Sequence, residues 1–143
     1  MKQRTIYSNR EVRSRTGTLV LVIPKPLARE LGFKIRRKTE SEQSCVLNSE
    51  NEIARVYLWL DLNYNIEIHD AAKPLQNING IISECELHPH GDSFEFTIPY
   101  DIRNTYEWLG VSLDKVDVTK NEHEHIVVIP KSKPQLNNYV KVT

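Results

Sequence analysis

The feature that most constrains the fold of this sequence is an apolar run, Thr18 to Ile23, that stops at Pro24. The run (TLVLVI) is dense in β-branched and aliphatic residues, which favour a strand buried on both faces. Proline has no backbone N–H to donate to a sheet, so the strand must end there. Pro26 suits the first turn of a helix, and Gly32 suits the position just past a helix end. The stretch therefore predicts a strand, a sharp corner and a short helix over Leu27 to Leu31.

The same pattern returns later in the chain. Ser93 to Ile98 (SFEFTI) alternates apolar and polar residues as a half-buried strand does, and Pro99 ends it. Asp101 to Trp108 predicts a short helix, and Gly110 closes it. The interval from proline to glycine grows from eight to eleven positions, which adds about one helical turn. Because repeated units usually pack together, we expect the two copies to share a core. The residues predicted to face inward from the second helix are Ile102, Tyr106 and Leu109.

Short β-rich runs fill the remaining sequence, and a length of 143 residues suffices for one core or two small ones. Further strands are predicted at Cys45 to Leu47, Ile53 to Leu60, Ile66 to Ile68, Gly80 to Leu87, Val111 to Val118 and His125 to Ile129. His88 to Asp92 has the composition of a turn. We divide the chain into a first copy with a basic N-terminal arm (1–60), connecting strands or a linker (61–92), a second copy (93–130) and a tail (131–143).

The charges are distributed unevenly, although the formal net charge is zero. Residues 1–38 hold 11 Lys and Arg against 2 acids, whereas residues 39–143 hold 8 against 17. Such asymmetry favours a polyanion as the partner of the basic part. Arg13 and Arg15 are two positions apart, so on a strand they share one face. The alternative is a solvated basic face that neutralises the acidic part of the same fold.

Two segments of the sequence resemble a motif of a known family. The segment GTLVLVIPKPLARELGF resembles the swapped-hairpin DNA-binding motif of the AbrB/MazE/SpoVT superfamily, with its strand ending in Ile-Pro, short helix and Leu-Gly. The segment IPYDIRNTYEWLGVSLDKVDV is similar to the same motif with a longer helix. The two segments cover roughly half of the chain. The resemblance implies a mainly β fold, a swapped-hairpin β-barrel with short helices and two tandem motif copies. It leaves open whether one chain or two chains form the barrel.

The resemblance also implies sequence-specific binding to double-stranded DNA, as a transcriptional regulator and repressor. In this family, basic residues before the first long strand and in the short helix meet DNA, and Arg29 lies at such a helix position. Cationic side chains on one face neutralise phosphates, and arginine can also read guanine edges in the major groove. The DNA-binding residues predicted here are Arg10, Arg13, Arg15, Lys25, Arg29, Lys34, Arg36, Arg37 and Lys38. The second copy is acidic, so we expect it to be structural, dimerising or partner-binding.

We expect a homodimer, and a protein partner on the acidic C-terminal half is the alternative source of function. In that case the chain is an antitoxin whose acidic half or tail binds a toxin, or a viral or plasmid protein that binds a host protein. A homodimer would present two basic faces to a palindromic or repeated site.

Other classes of function find little support in the residues. No phosphate-binding glycine loop or nucleophile motif is present, so we expect neither an enzyme nor a cofactor. The pairs His88/His90 and His123/His125 each lack a third ligand nearby in sequence, and we interpret them as surface histidines rather than a metal site. There is no run of about 18 apolar residues and no secretion signal, so no membrane association is expected. Two cysteines without such a signal favour a reducing cytoplasm.

Overall fold

The computed structural model describes residues 6–15, 17–33, 35–37, 52–75 and 82–132. Within these ranges the chain is mainly β, as the sequence predicts, and forms ten strands and two short helices. In chain order they are β1 (Tyr7–Glu11), β2 (Arg13–Arg15), β3 (Thr18–Pro24), α1 (Lys25–Glu30), β4 (Arg36–Arg37), β5 (Glu52–Leu60), β6 (Ile66–Asp70), β7 (Ser83–His90), β8 (Ser93–Thr97), α2 (Tyr100–Leu109), β9 (Lys115–Lys120) and β10 (Ile126–Pro130).

The strands form one curled antiparallel sheet. Its order is β1-β9-β10-β6-β5-β7-β8-β3-β2, with β4 beside β5. The two ends of this path, β1 and β2, follow each other in the chain with only Val12 between them. The Val12 N–H donates to the carbonyl oxygen of Asp114 at 3.0 Å, just before β9. Residues 7–15, expected to be a basic arm, thus join the two ends of the sheet.

The pairing register shows the same arrangement twice. β2 lies against β3 with Arg13 opposite Val20, and β7 lies against β8 with His88 opposite Glu95. In each copy a turn of two residues joins the two strands, and a helix follows the second of them. β7 is therefore the counterpart of the N-terminal strands, and it opens the second copy. The predicted linker region, 61–92, contributes β6 to the first copy and β7 to the second.

The turns of the β5–β6 and β9–β10 hairpins are also alike. In the first turn, the Asp61 carboxylate accepts hydrogen bonds from the backbone N–H groups two and four residues later. In the second turn, the side-chain oxygen of Asn121 does the same. The residues three positions after them, Tyr64 and Glu124, have positive φ angles of 61° and 60°. Two hairpins with one turn geometry extend the duplication to the end of each copy.

Hairpins of the two copies alternate around the sheet. β3 of the first copy pairs with β8 of the second, centred on Leu21 opposite Phe96. β6 pairs with β10 in the same way, centred on Glu67 opposite Val127. In both places the two central residues are counterparts in the repeat. The two copies therefore pair within one chain, and each hairpin of one copy lies next to a hairpin of the other.

Both helices lie where the sequence predicts helices, but their bounds differ from the predicted Leu27 to Leu31 and Asp101 to Trp108. Both pack onto the opposite copy. In α2 the predicted inward residues Ile102, Tyr106 and Leu109 are buried, and Gly110 ends the helix with a φ of 72°. The Tyr106 hydroxyl donates to the carbonyl oxygen of Tyr64 at 2.5 Å, in the β5–β6 turn. Lys120 of β9 forms a 2.7 Å ion pair with Glu30 of α1. Each helix is thereby tied to a hairpin of the other copy.

The predicted turn at His88 to Asp92 is shorter in the structure. β7 continues to His90 through Pro89, which lies opposite Phe94, so the predicted turn shrinks to Gly91 and Asp92. The pairing of β7 with β5 ends at Leu87, so Pro89 lies where β7 needs fewer backbone donors. The predicted strand at Cys45 to Leu47 lies outside the described residues.

Candidate functional site

Two of the predicted arginines occupy alternate positions of β2. Arg13 is opposite Val20 and Arg15 is opposite Thr18, so the two positions alternate on β2 and share a face. The Arg13 side chain is exposed. A strand edge bearing two arginines at this spacing suits successive contacts along a phosphate backbone.

This face continues onto the second copy. Nη1 of Arg13 lies 3.5 Å from Nε2 of His90 on β7. His90 has half of its side-chain surface exposed, and its Nδ1 is 3.9 Å from a carboxylate oxygen of Glu95. The sequence placed His88 and His90 only as surface histidines near a turn. Extending the repeat upstream of the two strands would have matched His-Pro-His at 88–90 to Arg-Ser-Arg at 13–15.

The other predicted cations occupy several elements. Arg10 is exposed on β1, where its guanidinium stacks 5.3 Å from the ring centroid of Tyr7. Arg29 is exposed in the last turn of α1, where positive charge is favourable beside the C-terminal carbonyl groups. Arg36 and Arg37 form β4 against the beginning of β5. The predicted residues Lys34 and Lys38 lie outside the described residues.

Lys25 differs from these cations because its side chain is buried. It is 2% exposed, and its Nζ lies 5.4 Å from the ring centroid of Phe94. The corner after Pro24 turns Lys25 inward, and its backbone N–H donates to the carbonyl oxygen of Asp92 at 3.1 Å. A side chain in this position cannot reach a phosphate without leaving its site, so we assign Lys25 to the structure and not to the basic face.

A cavity of about 930 Å³ lies at the tips of the two paired hairpins. Glu67 lies in its wall and accepts three hydrogen bonds from side chains. The donors are Trp59 Nε1 at 2.7 Å, Asn121 Nδ2 at 2.5 Å and His125 Nδ1 at 3.2 Å. Two of these donors come from the second copy, so Glu67 joins the hairpins by polar contacts in addition to the strand pairing.

Three histidines gather around this carboxylate. His69 and His125 meet edge to face with ring centroids 4.9 Å apart, and the His123 ring lies 6.0 Å from that of His125. Burial lowers the pKa of His125, which the hydrogen bond and charge of Glu67 oppose and the two other histidines reinforce. His69 Nε2 lies 3.1 Å from the Lys73 carbonyl oxygen, which can only accept, so Nε2 carries the hydrogen.

The structure thus brings a third histidine to the His123/His125 pair, which the sequence did not anticipate. In the part of the chain that the structure describes, no group of three His, Cys, Asp or Glu side chains is arranged to hold a metal ion. The geometry instead supports a polar cluster around Glu67 that holds the two hairpins together, which we call the polar joint. Glu122 and Glu124 are exposed at the rim of the cavity.

Cys85 on β7 is a free thiol that the fold makes unreactive. Burial, with a smaller contribution from the charge of Glu86, raises the pKa of the Cys85 thiol to about 12. The thiolate is the nucleophilic form of cysteine, and it is scarce at neutral pH in such a site.

Comparison with known proteins does not identify the function of this chain. No family model, curated protein or solved structure matches this chain. The resemblance to the swapped-hairpin superfamily therefore rests on the two motif segments, and function has to be argued from the surfaces. Among the residues described, none of the helices has the length and apolar character needed to cross a membrane.

Proposed function

We propose that this protein is a sequence-specific double-stranded DNA-binding transcriptional regulator that contacts DNA through the basic face of the first copy. The observation that carries the proposal is the placement of Arg13 and Arg15 at alternate positions of β2. Arg29 on α1 and Arg10 on β1 add exposed cations from neighbouring segments. Together they offer the guanidinium groups that phosphate neutralisation and base reading require.

The distribution of acidic residues also favours contact with DNA through the first copy. Asp101 and Glu107 are exposed on α2, and Glu107 lies 3.8 Å from the only basic residue of that helix, Arg103. Glu122 and Glu124 are exposed at the tip of the β9–β10 hairpin. Phosphate repels such surfaces, so DNA avoids α2 and the tip of the β9–β10 hairpin.

We further propose that the fold is the swapped-hairpin arrangement of the AbrB/MazE/SpoVT superfamily, with both motif copies in one chain. Alternation of hairpins from the two copies supports this proposal, as do the Ile-Pro corners at Pro24 and Pro99. One chain then supplies both halves of the swapped-hairpin arrangement. A homodimer would add a second arginine face, suited to a palindromic or repeated operator.

The protein-interaction alternative has one observation in its favour. Leu62 is 96% exposed at the tip of the β5–β6 hairpin, beside the carboxylates of Glu122 and Glu124 in the cavity wall. An apolar side chain flanked by acids suits a basic, partly apolar segment of another protein, such as a toxin. In this alternative the acidic tips bind the partner while the basic face still binds the promoter.

The test of the DNA-binding proposal is selection of bound fragments from a pool of random duplex DNA at physiological salt. The proposal predicts enrichment of a defined sequence over successive rounds. If no fragment is retained by the full chain, the proposal is wrong, and the protein-interaction alternative takes its place.

A further inference from the structure

We infer that the anion-binding face extends onto the second copy, where His88 and His90 form a second phosphate-contacting half. The inference rests on the proposed function and assigns to it residues outside the predicted set. It makes the binding of DNA depend on pH through two named histidines. The internal duplication and one contact between the copies support the inference.

The duplication places His88 at the position that Arg13 holds in the first copy. Arg13 lies opposite Val20 on β3, and His88 lies opposite Glu95 on β8. Val20 and Glu95 each precede by one residue the centre of the β3–β8 pairing. The local twofold relation between the copies therefore exchanges Arg13 with His88.

The same register matches Arg15 with His90. Arg15 lies opposite Thr18, and His90 lies opposite Ser93. Each is the last residue before the two-residue turn of its hairpin. The first copy thus carries two arginines at the positions where the second copy carries two histidines.

Both histidines are accessible, and one of them, His90, adjoins Arg13 directly. His88 and His90 are exposed, and His90 Nε2 lies 3.5 Å from Arg13 Nη1. A contact between strands of different copies shows that the two halves belong to one continuous surface. A polyanion long enough to cover Arg13 therefore meets His90 as well.

The charged groups around the histidines are of both signs. Glu95 on β8 is 3.9 Å from His90 and lies opposite His88 in the sheet. Glu84 and Glu86 share the side of β7 on which His88 lies, and Arg55 on β5 forms an ion pair with Glu84. The remaining charged neighbours are Arg13 on β2 and Asp92 in the β7–β8 turn.

Without DNA, the Glu95 carboxylate favours positive charge on His90, whereas the Arg13 guanidinium opposes it. A phosphate placed between the arginines and histidines favours protonation further, and by linkage protonation favours the phosphate. Histidine is the side chain that ordinarily gains its charge between pH 8 and pH 5. Each added phosphate contact steepens the dependence of log K on log salt by about 0.9. The expected slope for the whole protein is therefore steeper in acid by about 1 to 2.

The experiment measures the dissociation constant of the full chain for mixed-sequence duplex DNA across a series of salt concentrations, at about pH 8 and about pH 6. Four proteins are compared: wild type, the double variant His88→Gln/His90→Gln, the double variant His88→Arg/His90→Arg, and the control His123→Gln. His123 is an exposed histidine at the distant hairpin tip. Circular dichroism and thermal unfolding verify that each variant is folded at both pH values.

Wild type and the His123→Gln control are expected to bind more tightly and with a steeper salt slope at the lower pH. The glutamine variant is expected to keep the shallow slope at both pH values. The arginine variant is expected to show the steep slope already at the higher pH, which tests the site even if glutamine disturbs folding. Other groups that titrate in this range are common to wild type and the two double variants, so the comparison among these three isolates His88 and His90.

Two results would overturn the inference, and they can be told apart. If wild type binds DNA with the same slope at both pH values, or if the glutamine variant keeps the pH effect, the histidines are not part of the face. The proposed function would survive either result. If wild type binds no duplex DNA at either pH in low salt, the proposed function fails and the inference fails with it.

Discussion

Nη1 of Arg13 lies 3.5 Å from Nε2 of His90, although the two residues are 77 positions apart in the chain. Arg13 belongs to the first copy of the repeat and His90 to the second. In the sheet, β2 and β7 flank the β3–β8 pair on opposite sides, and the contact spans the two strands between them. The surface that we assign to DNA is therefore built by both copies, while its permanent charge comes from the first.

Removal of residues 1–14 is expected to abolish cooperative thermal unfolding of the protein. The sequence analysis assigns these residues to a basic arm, and the structure shows that they contain β1 and most of β2, which join the two ends of the sheet. Circular dichroism followed with temperature measures the transition. The substitution Arg10→Ala, at an exposed position of β1, is the control and should shift the midpoint little. A truncated chain that unfolds at the wild-type temperature would show that the arm is dispensable.

The substitution Glu67→Ala is expected to lower the free energy of unfolding by about 2–4 kcal/mol, because it leaves three donors in a half-buried site without their acceptor. Urea unfolding monitored by Trp59 and Trp108 fluorescence measures the change. Glu122→Ala removes an exposed carboxylate from the neighbouring turn and should cost no more than about 0.5 kcal/mol. Equal effects of the two substitutions would contradict the idea of a polar joint.

Acidification is expected to destabilise wild type more than the variant His125→Gln. Because the folded-state pKa of His125 is lowered from 6.5, the unfolded chain binds the proton more readily. The contribution of His125 is thus complete above about pH 6.5 and is lost as the pH falls through the folded-state pKa. Urea unfolding at about pH 7 and about pH 5 measures the loss in both proteins. His123→Gln, which retains His125, should behave as wild type does, and identical losses in wild type and His125→Gln would contradict the prediction.

The sequence predicts the local elements well, because their causes are local. Proline ends β3 at Pro24 and stops the second copy's strand before Pro99, and apolar spacing identifies the inward face of α2. The neighbours of each strand are not predictable in this way, since alternation of residues specifies a face but not a partner. The pairing of β3 with β8 depends instead on how the two copies fit together.

The same limit explains which site residues the sequence missed. Lys25 has the charge of a surface residue, yet the corner after Pro24 buries it over Phe94. His69 meets His125 only because β6 pairs with β10. His90 joins the arginine face through contacts between copies, and matching the two copies upstream of their prolines was the one signal in the sequence that could have indicated it.

The most direct test of the central claim is the salt dependence of duplex DNA binding by the triple variant Arg13→Ala/Arg15→Ala/Arg29→Ala. The matched control, Arg55→Ala/Lys115→Ala/Lys131→Ala, removes the same amount of charge from exposed positions that are not among the predicted DNA-binding residues. We expect the control to retain binding and a steep salt slope, and the arginine variant to lose both, because phosphate contacts dominate affinity. If the arginine variant binds as wild type does, or if both variants lose binding equally, the first copy does not carry the DNA-binding face.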